Sequence, residues 1–186
     1  MGQQEEIDSA ESEINFFELI PKVIEPLSSG TLEEAKKLVN KVFPLQTEEE
    51  NSDKWLTFSL EQREKNQDAG REYSNKPGYW VFLKGKKVVG IIGLYEYGRN
   101  AKNVSWLGWF CVDPAFRKRG IGSELLEYAI AAAKKSGKKR LRLYTTNDPN
   151  EADAQKLYEK YGFLVTKKNA GKRGKYTVFH RELVLV

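Results

Sequence analysis

The sequence predicts an α/β fold of the α+β kind, with a single mixed, mostly antiparallel sheet flanked by helices. Two observations support this prediction. An apolar strand leads through a glycine-containing turn into an amphipathic helix and then into a further strand, which is the order of a β-α-β crossover with parallel strands. Before this crossover, segments rich in β-branched and aromatic residues alternate with polar turns and predict antiparallel strands. The 186 residues are enough for one domain with a sizeable core.

The predicted elements follow one another in the order β-α-α-β-β-β-α-β-α-β-β. Thr31 and Glu34 have the spacing of a capping box, which predicts a helix that opens there and runs to Phe43, before Pro44. Residues 1–13 are polar and acidic and predict a mobile tail, so that 14–186 form the domain; residues 14–20 predict a short extra element and 66–77 a loop. The remaining predictions are strands at 22–26, 79–83, 88–97, 104–112, 139–144, 163–165 and 176–184, and helices at 52–65 and 153–161.

Composition excludes several classes of protein. No apolar run approaches the ~20 residues that cross a bilayer, so no membrane partner is expected. One cysteine and one histidine cannot supply a Cys/His zinc site, and no metal site is predicted. A single cysteine also excludes an internal disulfide and favours a reducing, cytoplasmic location. The net charge of +5 is compatible with a nucleic acid or with a small polyanion as partner.

The turn before the central helix has the composition of an anion-binding site. Gly120 and Gly122 lie where the helix begins, and Arg117, Lys118 and Arg119 precede them. The first N–H groups of a helix have no intrahelical partners and lie at the positive end of its dipole. Glycine lets the backbone approach an anion closely, so this turn predicts a pyrophosphate site. The helix itself is predicted by apolar residues on one face, namely Leu125, Leu126, Ala129, Ile130 and Ala133.

Two familiar phosphate-binding motifs do not match this turn. The dinucleotide fingerprint needs a third glycine three residues after Gly122, where Leu125 stands. The Walker motif needs Gly-Lys-Ser/Thr, whereas Gly122 is followed by Ser and Glu. The pattern that is present, Arg117-x-x-Gly120-x-Gly122 after Val112-Asp-Pro114, resembles the acetyl-CoA loop of the GNAT N-acetyltransferases.

A second motif supports this resemblance. The segment Ala154-Gln-Lys-Leu-Tyr-Glu-Lys-Tyr-Gly-Phe163 resembles the family pattern A-x-x-L-Y-x-x-x-G-F. It follows the glycine turn by about thirty residues and lies on the element where the family has it. The predicted order of elements is also that of the GNAT fold, and the resemblance covers the chain from Val23 to its end. The resemblance therefore implies a GNAT fold with a β-α-β acetyl-CoA crossover and a single N-acetyltransferase domain.

The resemblance implies that acetyl-CoA is the cosubstrate and that the reaction is direct transfer to a primary amine in a ternary complex. In the family, the turn binds the pyrophosphate, and the strand before it pairs its backbone with the pantetheine arm where two strands splay apart. A main-chain N–H near Cys111 or Val112 is the expected oxyanion donor. Carried over to this sequence, the residues implied to bind acetyl-CoA are Phe110, Cys111, Val112, Arg117, Lys118, Arg119, Gly120, Ile121, Gly122, Ser123 and Asn147.

Tyr158 matches the family's tyrosine, whose hydroxyl lies near the CoA sulfur and can protonate the departing thiolate. A packed position on the apolar face of its helix is the alternative for Tyr158. Some family members carry a glutamate that acts as the general base, at the position where this sequence has Trp106. Glu96 on the preceding strand could reach the same region. Glu96 is alternatively a solvated carboxylate, and an amine that releases its proton to water needs no dedicated base.

Other polar residues leave alternatives open. The family commonly has an asparagine seven residues before the tyrosine, where this sequence has Glu151. Asn147 or Asn150 substitutes for it, or both only shape the turn around Pro149. His180 and Cys111 are interpreted as ordinary strand residues.

Two other functions compete with the transferase. A non-catalytic domain that binds or senses acyl-CoA would use the same scaffold. A nucleic-acid binder would use a basic cluster, which lacks an aromatic stacking pattern and is therefore disfavoured: Lys134, Lys135, Lys138, Lys139, Arg140 and Arg142. The acceptor stays open between small-molecule amines and the amines of peptides or proteins, and so does a homodimer.

Overall fold

The computed structural model describes residues 21–65, 78–171 and 175–186. The predicted tail (1–13), the extra element (14–20) and the loop at 66–77 lie outside the described residues. The helices are α1 (Leu32–Val42), α2 (Ser52–Lys65), α3 (Ile121–Lys135) and α4 (Ala152–Lys160). The strands are β1 (Lys22–Pro26), β2 (Gly78–Lys84), β3 (Lys87–Tyr95), β4 (Val104–Leu107), β5 (Cys111–Val112), β6 (Arg140–Thr146), β7 (Leu164–Ala170) and β8 (Thr177–Val184).

These strands form one sheet in the order β1-β2-β3-β4-β6-β8-β7, and β5 pairs with β3 beside that path. The pair β4–β6 is parallel, and the other pairs within the described residues are antiparallel. The parallel pair is joined by α3, as expected for a β-α-β crossover. The structure therefore confirms the predicted fold class, a mixed and mostly antiparallel sheet flanked by helices.

Most predicted elements are present, with bounds that lie within two residues of the predicted ones. The helix at 52–65 and the strand at 22–26 have the predicted bounds. Strand β7 continues to Ala170 because it pairs with β8 as far as Ala170–Thr177. Helix α4 ends one residue before Tyr161, and Gly162, with φ of 82°, provides the predicted C-terminal cap.

The capping box predicted at Thr31 is wrong, although the helix is present. The Thr31 hydroxyl makes no hydrogen bond to the N–H groups of the first turn; it accepts from Ser28 N at 3.0 Å instead. The Glu34 carboxylate accepts from Val88 N at 2.9 Å, at the start of β3. Glu34 therefore joins α1 to the sheet, a contact between residues far apart in sequence that a local spacing rule cannot detect.

The single strand predicted at 104–112 is divided between Leu107 and Cys111. The first half, β4, pairs with β6 through Val104–Arg140 to Trp106–Arg142. The second half, β5, pairs with β3 through Ile91–Cys111, and no ladder joins it to β6 within the described residues. The two halves therefore lie on the same partner strand β3, but only the first has β6 as a neighbour.

Tyr79 occupies the point of division. Its buried ring lies against Gly93 on β3 and against Gly108, the first residue after β4. A Cβ on Gly108 would lie 2.7 Å from the Tyr79 hydroxyl oxygen, and a Cβ on Gly93 would overlap the ring. Gly108 N donates to Gly93 O at 2.7 Å, which fixes the two glycines around the ring. Both glycines are therefore required by the close approach of Tyr79.

Two apolar layers cover opposite faces of the sheet. One contains the buried face of α3 with Phe82, Ile92, Leu141, Leu143 and Phe163. The other contains α1 and Leu56 of α2 with Val81, Ile91 and Cys111. The predicted inner face of α3 is confirmed for Leu125, Leu126, Ala129 and Ala133, while Ile130 is half-buried.

We expect Gly93→Ala to lower the free energy of unfolding by about 1–3 kcal/mol, because the added methyl group overlaps the Tyr79 ring. Urea denaturation monitored by circular dichroism measures the change. Gly30→Ala is the matched control, since the nearest atom to a Cβ there is Ser28 Oγ at 3.8 Å. Equal stability of the two variants would contradict the role given to Tyr79.

Candidate functional site

Because the strand is divided, no ladder joins β5 to β6 within the described residues, and this gap between the two strands is the crevice. The first turn of α3 lies at this crevice, because a Cβ on Gly122 would meet Leu157 at 3.5 Å, Phe110 at 3.8 Å and Val112 at 3.9 Å. Leu157 belongs to α4, so β5, the start of α3 and α4 converge there. Residues that the sequence separates by almost fifty positions thus line one narrow space.

The glycine turn has the backbone geometry of an anion site. A 3₁₀ turn at Pro114–Phe116 follows β5, and Gly120 then caps α3 with φ of 81°, a conformation that favours glycine. The first intrahelical hydrogen bond runs from Glu124 N to Gly120 O at 3.0 Å. The N–H groups of Ile121, Gly122 and Ser123 precede this bond and point from the positive end of the helix dipole.

Three cations surround this helix end. Arg117, Lys118 and Arg119 are exposed, and Arg117 Nε donates to Val112 O at 3.2 Å. Lys118 has φ of 59°, the left-handed conformation that costs a non-glycine residue energy. Arg119 lies 5.9 Å from the centre of the Phe116 ring. The three predicted cations therefore lie in the turn that leads into the first N–H groups of α3.

Asp113 connects this turn to α1. Its carboxylate is buried and accepts from Ala115 N and from Lys41 Nζ, both at 3.0 Å. Burial by itself would raise the pKa of Asp113, but the Ala115 N–H and the Lys41 ammonium outweigh it and hold the pKa below the ordinary 3.8. The carboxylate is therefore ionised at neutral pH and fixes the beginning of the turn.

Tyr158 lies at the crevice with 6 % of its surface exposed. Its ring packs between Phe110 and Phe163, with centroid distances of 6.2 and 5.7 Å. Burial, more than the nearby Glu151 carboxylate, raises the pKa of Tyr158 well above its usual range. The phenol is therefore protonated at neutral pH, and its hydroxyl makes no hydrogen bond to any residue that the structure describes.

A polar cluster that the sequence did not predict joins α4 to the end of β6. The Glu151 carboxylate accepts from the Thr145 hydroxyl, from Thr146 N at 2.9 Å and from Thr146 Oγ1 at 2.6 Å. Gln155 Nε2 donates to Thr146 O at 2.7 Å. Arg181 on β8 donates to Gln155 Oε1 at 2.6 Å. The burial of Arg181 could have been inferred from the alternation along β8, which places Arg181 on the same face of the strand as the apolar residues Leu183 and Leu185.

The structure does not bring Glu96 to the crevice. Glu96 Oε1 lies 2.5 Å from Lys138 Nζ, and the two side chains are only 19 % and 8 % exposed. Lys138 follows the C-terminal end of α3, opposite to the end that carries the glycine turn. This position favours a structural ion pair over a catalytic base.

Asn147 directly follows β6, and its hydrogen bonds are to the first residue of β8. The side-chain Oδ1 of Asn147 accepts from Thr177 N at 2.7 Å, and the main-chain N–H of Asn147 donates to Thr177 O at 3.1 Å. The side chain therefore shapes the start of β8, and its contact with acetyl-CoA stays a prediction.

The other reactive side chains are placed as ordinary strand residues. Burial raises the pKa of the Cys111 thiol to about 12, so it is protonated at neutral pH. His180 Nε2 lies 3.1 Å from Asn169 Nδ2 on the outer hairpin. Within residues 21–65, 78–171 and 175–186, no three His, Cys, Asp or Glu side chains form a group that could hold a metal ion. No helix in those ranges is long and apolar enough to cross a membrane.

The basic cluster that would serve a nucleic-acid binder is partly neutralised. Arg142 Nε lies 2.6 Å and Arg140 Nε 3.4 Å from the Glu182 carboxylate. Lys138 is paired with Glu96, as described above. Three of the six cations in the basic cluster thus have carboxylate partners, which lowers the positive potential that the cluster presents to phosphates.

Comparison with known proteins supports the family resemblance. The model of the acetyltransferase (GNAT) family matches residues 39–163. No curated protein sequence matches the chain. An N-acetyltransferase from Staphylococcus aureus Mu50 has a similar structure, with a TM-score of 0.69 and 21% identity over 89% of this chain and 99% of that chain.

Two further solved structures show the same fold. The ribosomal-protein-S18-alanine N-acetyltransferase from Escherichia coli has a TM-score of 0.65 and 19% identity, over 89% of this chain and 94% of that chain. A GNAT family acetyltransferase from Elizabethkingia anophelis, solved with acetyl-CoA bound, has a TM-score of 0.63 and 19% identity, over 88% of this chain and 98% of that chain. The matched residues of the family model span most of this chain and include both the glycine turn and Tyr158. The chain therefore belongs to the GNAT family of acetyltransferases.

Proposed function

We propose that this protein is an N-acetyltransferase that moves the acetyl group of acetyl-CoA to a primary amine by direct attack in a ternary complex. The observation that carries the proposal is the crevice between β5 and β6. The first turn of α3 lies at this crevice and so does Tyr158, which packs on Phe110. An anion site and a proton donor thus share one space, as transfer from a CoA thioester requires.

Acetyl-CoA is the cosubstrate, and the residues at the crevice fit it. The N–H groups at the start of α3 and the side chains of Arg117 to Arg119 suit the pyrophosphate. Among the described residues, β3 is the strand that pairs with β5, so the other edge of β5 can pair with the amides of the pantetheine arm. Together these contacts would hold the acetyl donor next to the amine acceptor, so that the reaction between them becomes effectively unimolecular.

The reaction needs one bond to form and one to break. The amine nitrogen attacks the thioester carbonyl, the C–N bond forms and the C–S bond breaks. A main-chain N–H near Cys111 or Val112 is the proposed donor to the developing oxyanion. The Tyr158 hydroxyl gives its proton to the departing thiolate, and the amine releases its proton to water. Since Glu96 is paired with Lys138, no side-chain base is assigned.

The acceptor side of the crevice is proposed to lie towards α1 and α2. There the rings of Phe43 and Trp109 have centroids 5.3 Å apart at an interplanar angle of 49°. Trp109 lies in the segment that divides the strand, close to the backbone that would hold the thioester. This aromatic lining suits an amine on a small molecule, a peptide or a protein.

We expect Tyr158→Phe to lower kcat by about 10²-fold while the KM for acetyl-CoA changes little, because only the proton donor is removed. Steady-state assays of thiol release with an amine panel measure both constants. Tyr128→Phe is the matched control, since Tyr128 is a partly exposed tyrosine of α3 whose ring packs against Trp80 at a centroid distance of 5.5 Å. Unchanged turnover in Tyr158→Phe would remove Tyr158 from the mechanism.

We expect Gly120→Ala to weaken CoA binding about tenfold or more, because alanine disfavours the φ of 81° that directs the N–H groups at the start of α3. Isothermal titration calorimetry with CoA measures the affinity. Gly137→Ala is the control: it has φ of 72° at the opposite end of α3 and no heavy atom within 4 Å of its Cβ. If both variants bind CoA equally well, the glycine turn is not the pyrophosphate site.

A non-catalytic acyl-CoA-binding domain is the second candidate, and the position of Glu96 in an ion pair with Lys138 favours it. The thiol-release assay separates the two. Release of CoA only when an amine is present supports the transferase, whereas calorimetric binding of acetyl-CoA without thiol release from any amine supports the binding domain.

A further inference from the structure

We infer that Arg181 is a positioning residue for Tyr158: its guanidinium holds α4 so that the tyrosine hydroxyl faces the crevice. The inference rests on the proposed function, because it concerns the proton donor of that reaction. Arg181 lies on β8 and is not part of the glycine turn or of the crevice wall formed by β5.

The guanidinium of Arg181 contacts α4 on both sides of Tyr158. It is 5 % exposed, and its NH2 group donates to Gln155 Oε1 at 2.6 Å and to Glu159 Oε1 at 2.8 Å. Its NH1 group donates to Phe163 O at 3.1 Å, just after the helix ends. The three acceptors precede and follow Tyr158 in sequence, so one planar group fixes the helix segment that carries the tyrosine.

The same contacts extend to the edge of the crevice. Gln155, which accepts from Arg181, also donates to Thr146 O at the end of β6. Thr146 also donates twice to Glu151, from its main-chain N and from its hydroxyl, and these bonds connect the turn before α4 to the end of β6. The distance of Tyr158 from the end of β6 is therefore set by polar contacts from two strands and not by the apolar packing of its ring alone.

The charge of Arg181 also suits a proton donor. When Tyr158 gives up its proton, a phenolate is left in a buried position, which burial disfavours most and the Glu151 carboxylate disfavours further. Arg181 acts in the opposite direction and lowers the pKa of Tyr158. A buried cation near the phenol therefore offsets part of the cost of proton transfer.

Stability alone is a weak reason for a buried arginine here. Its Nε is buried and has no hydrogen-bond partner among the residues that the structure describes, which costs free energy. Replacing both partners of a buried ion pair by apolar residues of similar size is often neutral or stabilising, whereas removing one partner alone is destabilising. The ion pair with Glu159 is therefore a weak reason for a cation at this position, and the effect of the cation on the neighbouring tyrosine is a stronger one.

The test is a double-mutant cycle that combines Arg181→Met with Tyr158→Phe. In the wild-type background we expect Arg181→Met to lower kcat about tenfold with less than about a threefold change in the KM for acetyl-CoA. In the Tyr158→Phe background we expect no further loss, because the group that Arg181 positions is already absent. Arg181→Lys should recover part of kcat because it keeps the charge.

Lys138→Met is the matched control, because it removes an equally buried cation from an ion pair at the far end of α3. Its kcat should stay within about twofold of the wild type, and any loss should be the same in both Tyr158 backgrounds. Should Arg181→Met not fold, as judged by circular dichroism, Gln155→Met replaces it in the cycle, since it removes one of the two Arg181 contacts to α4 side chains and keeps the cation.

An equal loss of kcat from the Arg181 or Gln155 variant in both backgrounds would overturn the inference, and so would a loss expressed only in KM. Failure of the proposed function has a different signature, namely that Tyr158→Phe alone leaves kcat unchanged. The single tyrosine variant thus tests the proposed acid, and the cycle tests whether Arg181 acts through it.

Discussion

The division of one strand by the ring of Tyr79 is the constraint on which the rest of the structure depends. If β4 ran on to Val112 beside β6, its backbone edge would be filled by the parallel ladder that begins at Val104–Arg140. The Tyr79 ring lies between Gly93 and Gly108, and the chain changes direction where β6 would otherwise follow. The next strand keeps β3 as its neighbour, and no strand among the described residues pairs with its other edge. Arg117 Nε donates to Val112 O there, and because backbone polar groups need partners, the rest of the edge suits a ligand.

Around this edge, backbone groups would bind the ligand, and side chains fix the positions of those backbone groups. The backbone supplies the N–H groups at the start of α3 and the free edge of β5, which suit a long ligand with a diphosphate and amides. Side chains fix their positions: Asp113 holds the glycine turn to Lys41 of α1, and Glu151 holds α4 to the end of β6. Tyr158 packs on Phe110 at the crevice, in surroundings that keep its hydroxyl protonated, which suits the acid role proposed for it.

The sequence predicted what is local. The glycine turn, the inner face of α3 and the Gly162 cap each depend on residues within a few positions of one another, and each is present in the structure. The division at Gly108 was not predicted, because it depends on Tyr79, some thirty residues earlier in the chain. Glu34 has the spacing of a capping residue, yet it bonds to Val88, and Glu96 pairs with Lys138 and not with anything at the crevice. Ion pairs and hydrogen bonds between distant segments follow from the register of the sheet, and a shift of one residue in that register would place each side chain on the opposite face.

The most direct test of this account is a crystal structure of the protein with CoA. We expect the diphosphate to lie within hydrogen-bonding distance of the N–H groups of Gly120 to Ser123, the pantetheine amides to pair with β5, and the sulfur to lie beside the Tyr158 hydroxyl. CoA bound at another surface, or a β5 edge that closes onto β6 when CoA is present, would contradict the account.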